Sequence, residues 1–196
     1  RELTAKKRKE IIGDVSGGKD SMKAEDFQRA YVVEKTGAPC PTTNYRINLL
    51  TNDLVELKDD PGWRLPNWLD YSENFDGVQH INGRTIFVNF KSMCQHGGGQ
   101  NRGIREVGWF IRGQLECALK SEEYLFANLL DGWKIAKAID RYYVHLANNP
   151  KYATVKSRVY IGDSKDYPEW IRSLSTPDQT GSASDHTPGT EAKTDS

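Results

Sequence analysis

The spacing of apolar residues in the first part of the chain predicts one helix and a short hairpin. Apolar residues recur at helical intervals from Ser21, a suitable N-cap, to about Lys35. Thr36-Gly37-Ala38-Pro39 carries the residue types that end a helix. Residues 45–58 have an ambiguous pattern, which a short hairpin turning at Thr51-Asn52-Asp53 would explain.

A second hairpin is the clearest element in the sequence. Residues 68–80 and 84–92 are two strand-like runs, and Asn82-Gly83 lies between them. Asn-Gly flanked by alternating apolar residues favours a type I′ turn, because both central positions of that turn need φ > 0. The second run then has two faces, with Ile86, Val88 and Phe90 on one and Phe87, Asn89 and Lys91 on the other.

The pattern after this hairpin predicts a β-α-β crossover. A Gly-rich loop at residues 95–103 leads into an amphipathic helix over residues 104–120, and residues 123–130 predict a short buried strand. Because strands joined through a helix by short connections run parallel, the sheet is expected to be mixed. The last elements expected are a helix over residues 135–146, a strand over residues 158–161 and a helix after Asp163.

Length and composition indicate one folded domain with a segment at each end. The chain has 196 residues, enough to bury a core without disulfides or zinc. We expect a basic N-terminal arm or helix at residues 1–20 and an α/β domain at residues 21–174. Residues 175–196 hold four acids, one lysine and no aliphatic residue larger than alanine, so they predict a disordered acidic tail. The basic cluster at residues 6–9 is more typical of the solvated start of a helix or arm than of a segment that contacts phosphates or directs localisation.

Cysteine content, hydropathy and charge exclude several classes of protein. Three cysteines without a C-x-x-C pair argue against a disulfide framework and a zinc ribbon, and Cys94 with His96 is only half of a metal site. No apolar run reaches the roughly 20 residues that span a bilayer. We therefore expect an intracellular protein, cytoplasmic or nuclear, without a membrane partner. The 27 Lys and Arg balance the 27 Asp and Glu, so no strongly basic surface is expected overall.

The hairpin brings three polar residues to one face of the sheet. With Asn82 and Gly83 as the turn residues, Asp76 lies opposite Asn89, and Lys91 follows two residues further along the same face. Opposed side chains are about 5 Å apart at Cβ, and diagonal ones about 7–8 Å apart. A carboxylate, an amide and an ammonium group are thus predicted in one small patch.

This patch and the order of elements around it resemble the PD-(D/E)xK nuclease superfamily, which has the restriction-endonuclease-like fold. The resemblance covers residues 68–130 and rests on Glu73-Asn74-Phe75-Asp76-Gly77, the hairpin, Val88-Asn89-Phe90-Lys91 and the helix and strand that follow. It implies a single α/β domain with a mixed β-sheet flanked by helices. It also implies a Mg²⁺-dependent endonuclease that hydrolyses DNA. A homodimer would suit cleavage of both strands of a palindrome.

The resemblance assigns roles to the three residues of the patch. Asp76 matches the metal-binding Asp, and Lys91 matches the Lys that assists the attacking water. Asn89 stands where the family has its second metal-binding acid, and as an atypical ligand it offers only a neutral amide oxygen. A further carboxylate would help to hold the metal, and Glu25, Glu34 and Glu106 remain open for that role. Glu73 is expected on the other face of the strand unless a bulge intervenes.

Residues beyond the second strand are candidates for nucleic-acid contacts. Gln100, Asn101, Arg102 and Arg105 can donate to phosphates or base edges. Gly97-Gly98-Gly99 can present backbone N–H groups to a phosphate, but the spacing is not that of a nucleotide P-loop, and a flexible spacer explains it equally well. Five aromatic residues of the later helices are expected to pack in the core or between helices and not to serve as base-stacking platforms, namely Trp109, Phe110, Trp133, Tyr142 and Tyr143.

Other interpretations of the sequence remain open. Asp76 and Lys91 can form an ordinary cross-strand ion pair, and Asp76-Gly77 an ordinary turn. The amide at Asn89 favours a catalytically inactive nucleic-acid-binding module on the same fold. The neutral net charge is compatible with a protein-interaction domain that has no nucleic-acid role.

Overall fold

A computed structural model of the chain describes residues 18–57, 68–94 and 98–174. The basic cluster at residues 6–9, most of the expected N-terminal arm and the acidic tail lie outside these ranges. So do His96 and Gly97 of the Gly-rich loop.

The described residues form four α-helices and six strands, in the alternating order that the sequence predicts. In chain order they are α1 (Gly18–Thr36), β1 (Tyr45–Asn48), β2 (Asp53–Glu56), β3 (Gly77–Ile81), β4 (Arg84–Ser92), α2 (Gly98–Lys120), β5 (Tyr124–Asp131), α3 (Trp133–Tyr142), β6 (Val159–Gly162) and α4 (Tyr167–Ser173). A π-helical turn at Tyr143–Ala147 continues α3, and short 3₁₀ turns lie at Trp68–Asp70, Pro150–Tyr152 and Lys156–Arg158.

The central sheet is mixed and has four strands in the order β3-β4-β5-β6. Strands β3 and β4 are antiparallel, whereas β4, β5 and β6 are parallel. The expected β-α-β crossover is therefore confirmed, since α2 connects the parallel neighbours β4 and β5. Strands β1 and β2 form a separate antiparallel pair, as the sequence predicts for the first hairpin.

The Asn-Gly turn and the register of the second hairpin are confirmed. Asn82 and Gly83 have φ of 51° and 73°, and Ile81 pairs with Arg84. The expected length of the first strand is wrong, because only Gly77–Ile81 pairs with β4. The preceding segment bonds to β1 instead: the N–H groups of Ser72 and Phe75 donate to the carbonyls of Ile47 and Tyr45 at 2.8 and 3.0 Å.

Two helix starts differ from the prediction. Helix α1 begins at Gly18, so Ser21 lies inside the helix and is not its N-cap. Helix α2 begins at Gly98, so residues 98–103 are helical where a loop was expected. A Cβ on Gly103 would lie 2.7 Å from the terminal methyl group of Met93, so the glycine lets the helix approach this side chain closely. The helix thus includes residues 98–103 despite the weak helix propensity of glycine.

Helices cover both faces of the sheet, so the molecule has three layers. Phe87 and Phe126 pack with Val107, Ile111 and Leu115 of α2, on the face that α3 and the β1-β2 pair also cover. The opposite face joins other buried residues of the sheet to α1 and α4, namely Ile86, Val88, Phe90, Leu125, Ala127 and Leu129 against Val32, Tyr167 and Ile171. Among the described residues, no helix combines the length and the apolar character that crossing a membrane requires.

Candidate functional site

Asp76 lies where the pairing of β3 with β4 stops. Its Oδ2 accepts a hydrogen bond of 2.6 Å from the backbone N–H of Phe90, so the carboxylate sits at the end of the hairpin ladder. Burial raises the pKa of Asp76 from 3.8 to about 6, against the lowering effect of that N–H group. Asp76 can therefore hold or release a proton near neutral pH.

Glu25 is the second carboxylate of this region. It is half-buried on α1, and its charge contributes to the raised pKa of Asp76. Burial also raises the pKa of Glu25, while the positive charges of Lys91 and Arg29 oppose that shift. The charges of two carboxylates and two cations, which come from distant parts of the chain, thus interact at one end of the hairpin.

Lys91 faces this group of charges from the end of β4. Its charge lowers the pKa of both Asp76 and Glu25. Neither Lys91 nor Asp76 takes part in an ion pair within 4.0 Å in the described part of the chain. The alternative of a simple cross-strand ion pair is therefore not what the structure shows. The two groups are near each other but separated.

Arg29 connects helix α1 to the backbone at Asp76 and at Cys40. Its guanidinium donates to the carbonyls of Asp76 and Cys40, at 2.7 and 2.6 Å, and lies over the Phe90 ring at 5.3 Å. The backbone is so close here that a Cβ on Gly77 would lie 2.5 Å from the Cys40 sulfur. Asp76-Gly77 is thus a tightly packed junction between α1 and the sheet, and not an ordinary exposed turn.

Asn89 belongs to a buried network of amides. It is 8% exposed, and its Nδ2 donates to Oδ1 of Asn128 at 3.3 Å. Asn128 and Gln114 exchange two further bonds, of 2.6 and 3.0 Å. Asn89 also lines a cavity beside Lys91, and its oxygen accepts no hydrogen bond from any described residue. That oxygen is the atom that the resemblance would use as a ligand.

The cavity beside Lys91 has a volume of about 500 Å³. Arg102 and Arg105 of α2 line it together with Asn89 and Lys91, so two of the four residues expected to contact DNA lie next to two of the three catalytic candidates. Asp76, the third candidate, is not among the described residues that line this cavity. Asn101 is exposed and lines a neighbouring cavity instead. Gln100 belongs to the first turn of α2, and its side chain lies outside the described part of the structure.

The carboxylates that the sequence left open as further metal ligands lie in different parts of the structure. Glu25 joins Asp76 and Lys91, whereas Glu34 is exposed and pairs with Lys35 at 2.8 Å. Glu106 lines the cavity, and so does Glu73, whose expected position on the far face of a strand is wrong because its segment is not a strand. In the ranges that the structure describes, no three His, Cys, Asp or Glu side chains form a group that could hold a metal ion.

Two tryptophans expected in the core lie at the surface. Trp109 is 79% exposed and Trp133 is 41% exposed. The sequence did hold a signal for Trp109. It follows Val107 by two positions, which places it on the far side of α2 from the apolar stripe that contains Val107 and Ile111.

No family model, curated protein or solved structure matches this chain. Its function therefore has to be inferred from the arrangement of its own residues.

Proposed function

We propose that this protein is a Mg²⁺-dependent endonuclease that hydrolyses DNA phosphodiester bonds on a restriction-endonuclease-like fold. The observation that carries the proposal is the meeting of Glu25, Asp76 and Lys91 at the end of the β3-β4 hairpin. These residues come from three separate elements, and both acids have raised pKa values. Perturbed acids beside a cation and a cavity are typical of catalytic sites.

The donor set suits Mg²⁺. This ion prefers oxygen ligands, often takes only one or two carboxylates and keeps several waters. Asp76 uses one carboxylate oxygen for the Phe90 N–H, and its Oδ1 accepts no bond from a described residue. Glu25 would supply the second carboxylate in place of the acid that Asn89 replaces. When bound, the ion would neutralise phosphate charge and make a coordinated water easier to deprotonate.

The protein's own groups divide the remaining work. Lys91 would orient the attacking water and stabilise negative charge on the phosphate as the water oxygen bonds to phosphorus and the P–O bond breaks. Arg102 and Arg105, in the same cavity, would hold the flanking phosphates. Arg29 keeps the Asp76 backbone in place through its bond to the Asp76 carbonyl, so it acts as a positioning residue.

The order of elements supports the same proposal. A helix, an antiparallel hairpin and a β-α-β crossover surround the candidate residues, as the resemblance implies. The acid lies directly before one hairpin strand and the lysine near the end of the other.

A catalytically inactive nucleic-acid-binding module is the second candidate. The amide network favours it, because Asn89 donates to Asn128, which Gln114 holds in turn, and this arrangement needs no metal. In that case the cavity and its arginines would bind DNA without cutting it.

A cleavage assay in Mg²⁺, run on plasmid and on single-stranded DNA, distinguishes the two candidates. Asp76→Asn, Glu25→Gln and Lys91→Ala should each lower the cleavage rate at least about 100-fold, because each removes charge stabilisation worth several kcal/mol. Glu34→Gln is the matched control, since it removes an exposed acid from the same helix as Glu25. It should cut like the wild type.

DNA binding measured in EDTA completes the test. Cleavage by the wild type that survives in all three site variants would contradict the proposed site. Tight binding by a wild type that cuts neither DNA nor RNA in Mg²⁺ or Mn²⁺ would support the inactive module.

A further inference from the structure

A second and larger cavity lies between α2 and α3, and the proposed catalytic residues do not occupy it. Its volume is about 1150 Å³, and its walls come from both helices and the π-helical turn. Its lining is strongly basic although the chain as a whole is neutral. The cations that line it are Arg105, Arg112, Lys134, Lys137, Arg141 and Lys151.

The only acid among the described lining residues is Glu116, and it is already paired. Its carboxylate accepts from Lys151 at 2.5 Å and from the Tyr152 hydroxyl at 2.6 Å. The remaining cations therefore give the groove a local positive charge. Such a charge attracts a polyanion along the length of the groove.

Two indole rings stand in this basic lining. Trp109 is 79% exposed on α2, and Trp133 is 41% exposed at the start of α3. The Trp133 Nε1 donates to the Cys94 carbonyl at 2.6 Å, and Lys137 lies over its ring at 5.2 Å. An exposed tryptophan gives up contact with the core, so its position among cations indicates a ligand with flat apolar faces and negative charge.

The walls of the groove are held at a fixed separation. The Tyr142 hydroxyl of α3 donates to the Ile104 carbonyl of α2 at 2.6 Å. A Cβ on Gly108 would lie 3.3 Å from the Tyr142 ring, so a glycine allows the helices to approach closely. The packing of α2 against α3 thus forms most of the groove, and Leu49, Asn52 and Lys151 from neighbouring turns complete its lining.

The groove is continuous with the cavity that contains Lys91. Leu49, Arg105 and Trp109 line both. A chain molecule lying in the groove would pass over Trp109 and Arg105 before it reaches Lys91.

We propose that the α2-α3 groove binds a single-stranded segment of DNA, with bases stacked on Trp109 and Trp133 and phosphates held by the cations around them. Double-stranded DNA keeps its base faces stacked inside the helix, so it can use the cations but not the indole rings. Basic grooves with aromatic platforms are the general solution for binding single strands. This inference names the substrate class of the nuclease proposed above and rests on that function for its biological role.

Binding can be tested without cleavage. The probe is a fluorescein-labelled oligothymidylate of about 15 nucleotides, titrated by fluorescence anisotropy in EDTA at low salt with the full chain. The wild type should bind it more tightly than a duplex of equal length. Trp109→Ala should weaken single-strand binding about 5- to 150-fold, the range for loss of one stacked base, and leave duplex binding nearly unchanged.

A charge variant and its matched control complete the experiment. Lys137→Ala with Arg141→Ala should flatten the dependence of log K on log salt by about 0.7 for each lost phosphate contact. Lys165→Ala with Arg172→Ala removes the same two residue types from exposed positions at and before α4, on the other side of the sheet. This control should bind like the wild type.

Three outcomes would overturn the inference. They are equal binding of single strands and duplexes by the wild type, unchanged affinity in Trp109→Ala, and tighter binding of an oligouridylate than of the DNA probe. Loss of cleavage in Asp76→Asn with unchanged single-strand binding would leave the groove supported. The two proposals therefore fail separately.

Discussion

Burial distinguishes Asp76 from the exposed acids of this chain. The carboxylate of Asp53 forms an exposed ion pair with Lys120, and that partner lowers its pKa. Asp76 accepts a backbone N–H, but burial outweighs this bond and raises its pKa to about 6. The folded protein therefore binds a proton at Asp76 more tightly than the unfolded chain does.

This shift predicts that stability falls with rising pH in the absence of divalent ions. Below the unfolded pKa of about 3.8, Asp76 is protonated in both the folded and the unfolded state, and its burial does not have to remove water from a charge. As pH rises through about 6, the folded protein has to bury the charged carboxylate, and this contribution to stability is lost. The loss is on the order of 2–3 kcal/mol, since one pKa unit corresponds to about 1.4 kcal/mol. Urea denaturation in EDTA at steps between pH 4 and 7 measures it.

Asp76→Asn should remove much of the decrease in the free energy of unfolding between pH 4 and 7. The pKa of Glu25 is also raised, so a smaller decrease of stability with pH should remain in the variant. Glu34→Gln should follow the wild type. Parallel stability curves for the wild type and Asp76→Asn would show that Asp76 titrates at its ordinary pKa.

Among the elements, glycine has a different role in the β3-β4 hairpin from the one it has in helix α2. Gly83 has φ of +73° in the turn, a conformation that residues with a Cβ rarely adopt. Gly113 lies in the middle of α2, where a Cβ would make ordinary contact with Ile47 at 3.6 Å. The turn needs its glycine, whereas the helix tolerates one.

The two positions predict alanine substitutions of opposite sign. Gly83→Ala should lower the free energy of unfolding by about 1–2 kcal/mol, because the left-handed conformation strains an L-residue. Gly113→Ala should raise it by about 0.5–1 kcal/mol, because alanine is the better helix former. Chemical denaturation of both variants checks the pair, and a stabilising Gly83→Ala would contradict the turn conformation.

At the scale of the whole molecule, buried polar bonds join layers that are distant in sequence. The Tyr167 hydroxyl of α4 donates to Oε1 of Gln79 in β3 at 2.9 Å, and both side chains are fully buried. The Nε2 of Gln79 donates to Thr36 and to the Ala38 carbonyl at the end of α1. One side chain thus connects the sheet to both helices of that face.

Tyr167→Phe should therefore cost about 1–3 kcal/mol, because it leaves the Gln79 oxygen buried without a donor. Tyr143→Phe is the matched control. Its hydroxyl donates to the Ile161 carbonyl at 2.9 Å from a more exposed position, where water can replace it, so the cost should be below about 1 kcal/mol. Urea midpoints at unchanged m values measure both costs, and equal losses would contradict the role of the buried bond.

Local pattern predicted the fold well where neighbouring residues decide the structure. The Asn82-Gly83 turn, the two faces of β4 and the parallel β4-β5 pair are all confirmed. Local pattern failed for residues 68–76, which do not pair with β4 as a strand; Ser72 and Phe75 instead donate to carbonyls of β1. It also failed at the start of α2, which extends through the glycines of residues 98–103.

The candidate site shows the same division between local and distant effects. The pairing rules of a hairpin place Asp76, Asn89 and Lys91 near one another, so the sequence alone predicts them together. Glu25 lies 51 positions before Asp76, and nothing local distinguishes it from Glu34. Only the docking of α1 against the sheet, with Arg29 bonded to the Asp76 carbonyl, brings Glu25 to the site.

The chain by itself therefore determined the tight turn, the register of β3 against β4 and the candidate residues on the hairpin, because turn chemistry and the two-residue period of a strand act over a few residues. The tertiary structure decided where Glu25 lies relative to Asp76, the partial burial that raises the pKa of Asp76, and that two tryptophans line a basic groove. These properties depend on which surfaces of distant elements meet, and that is settled by the packing of the whole domain.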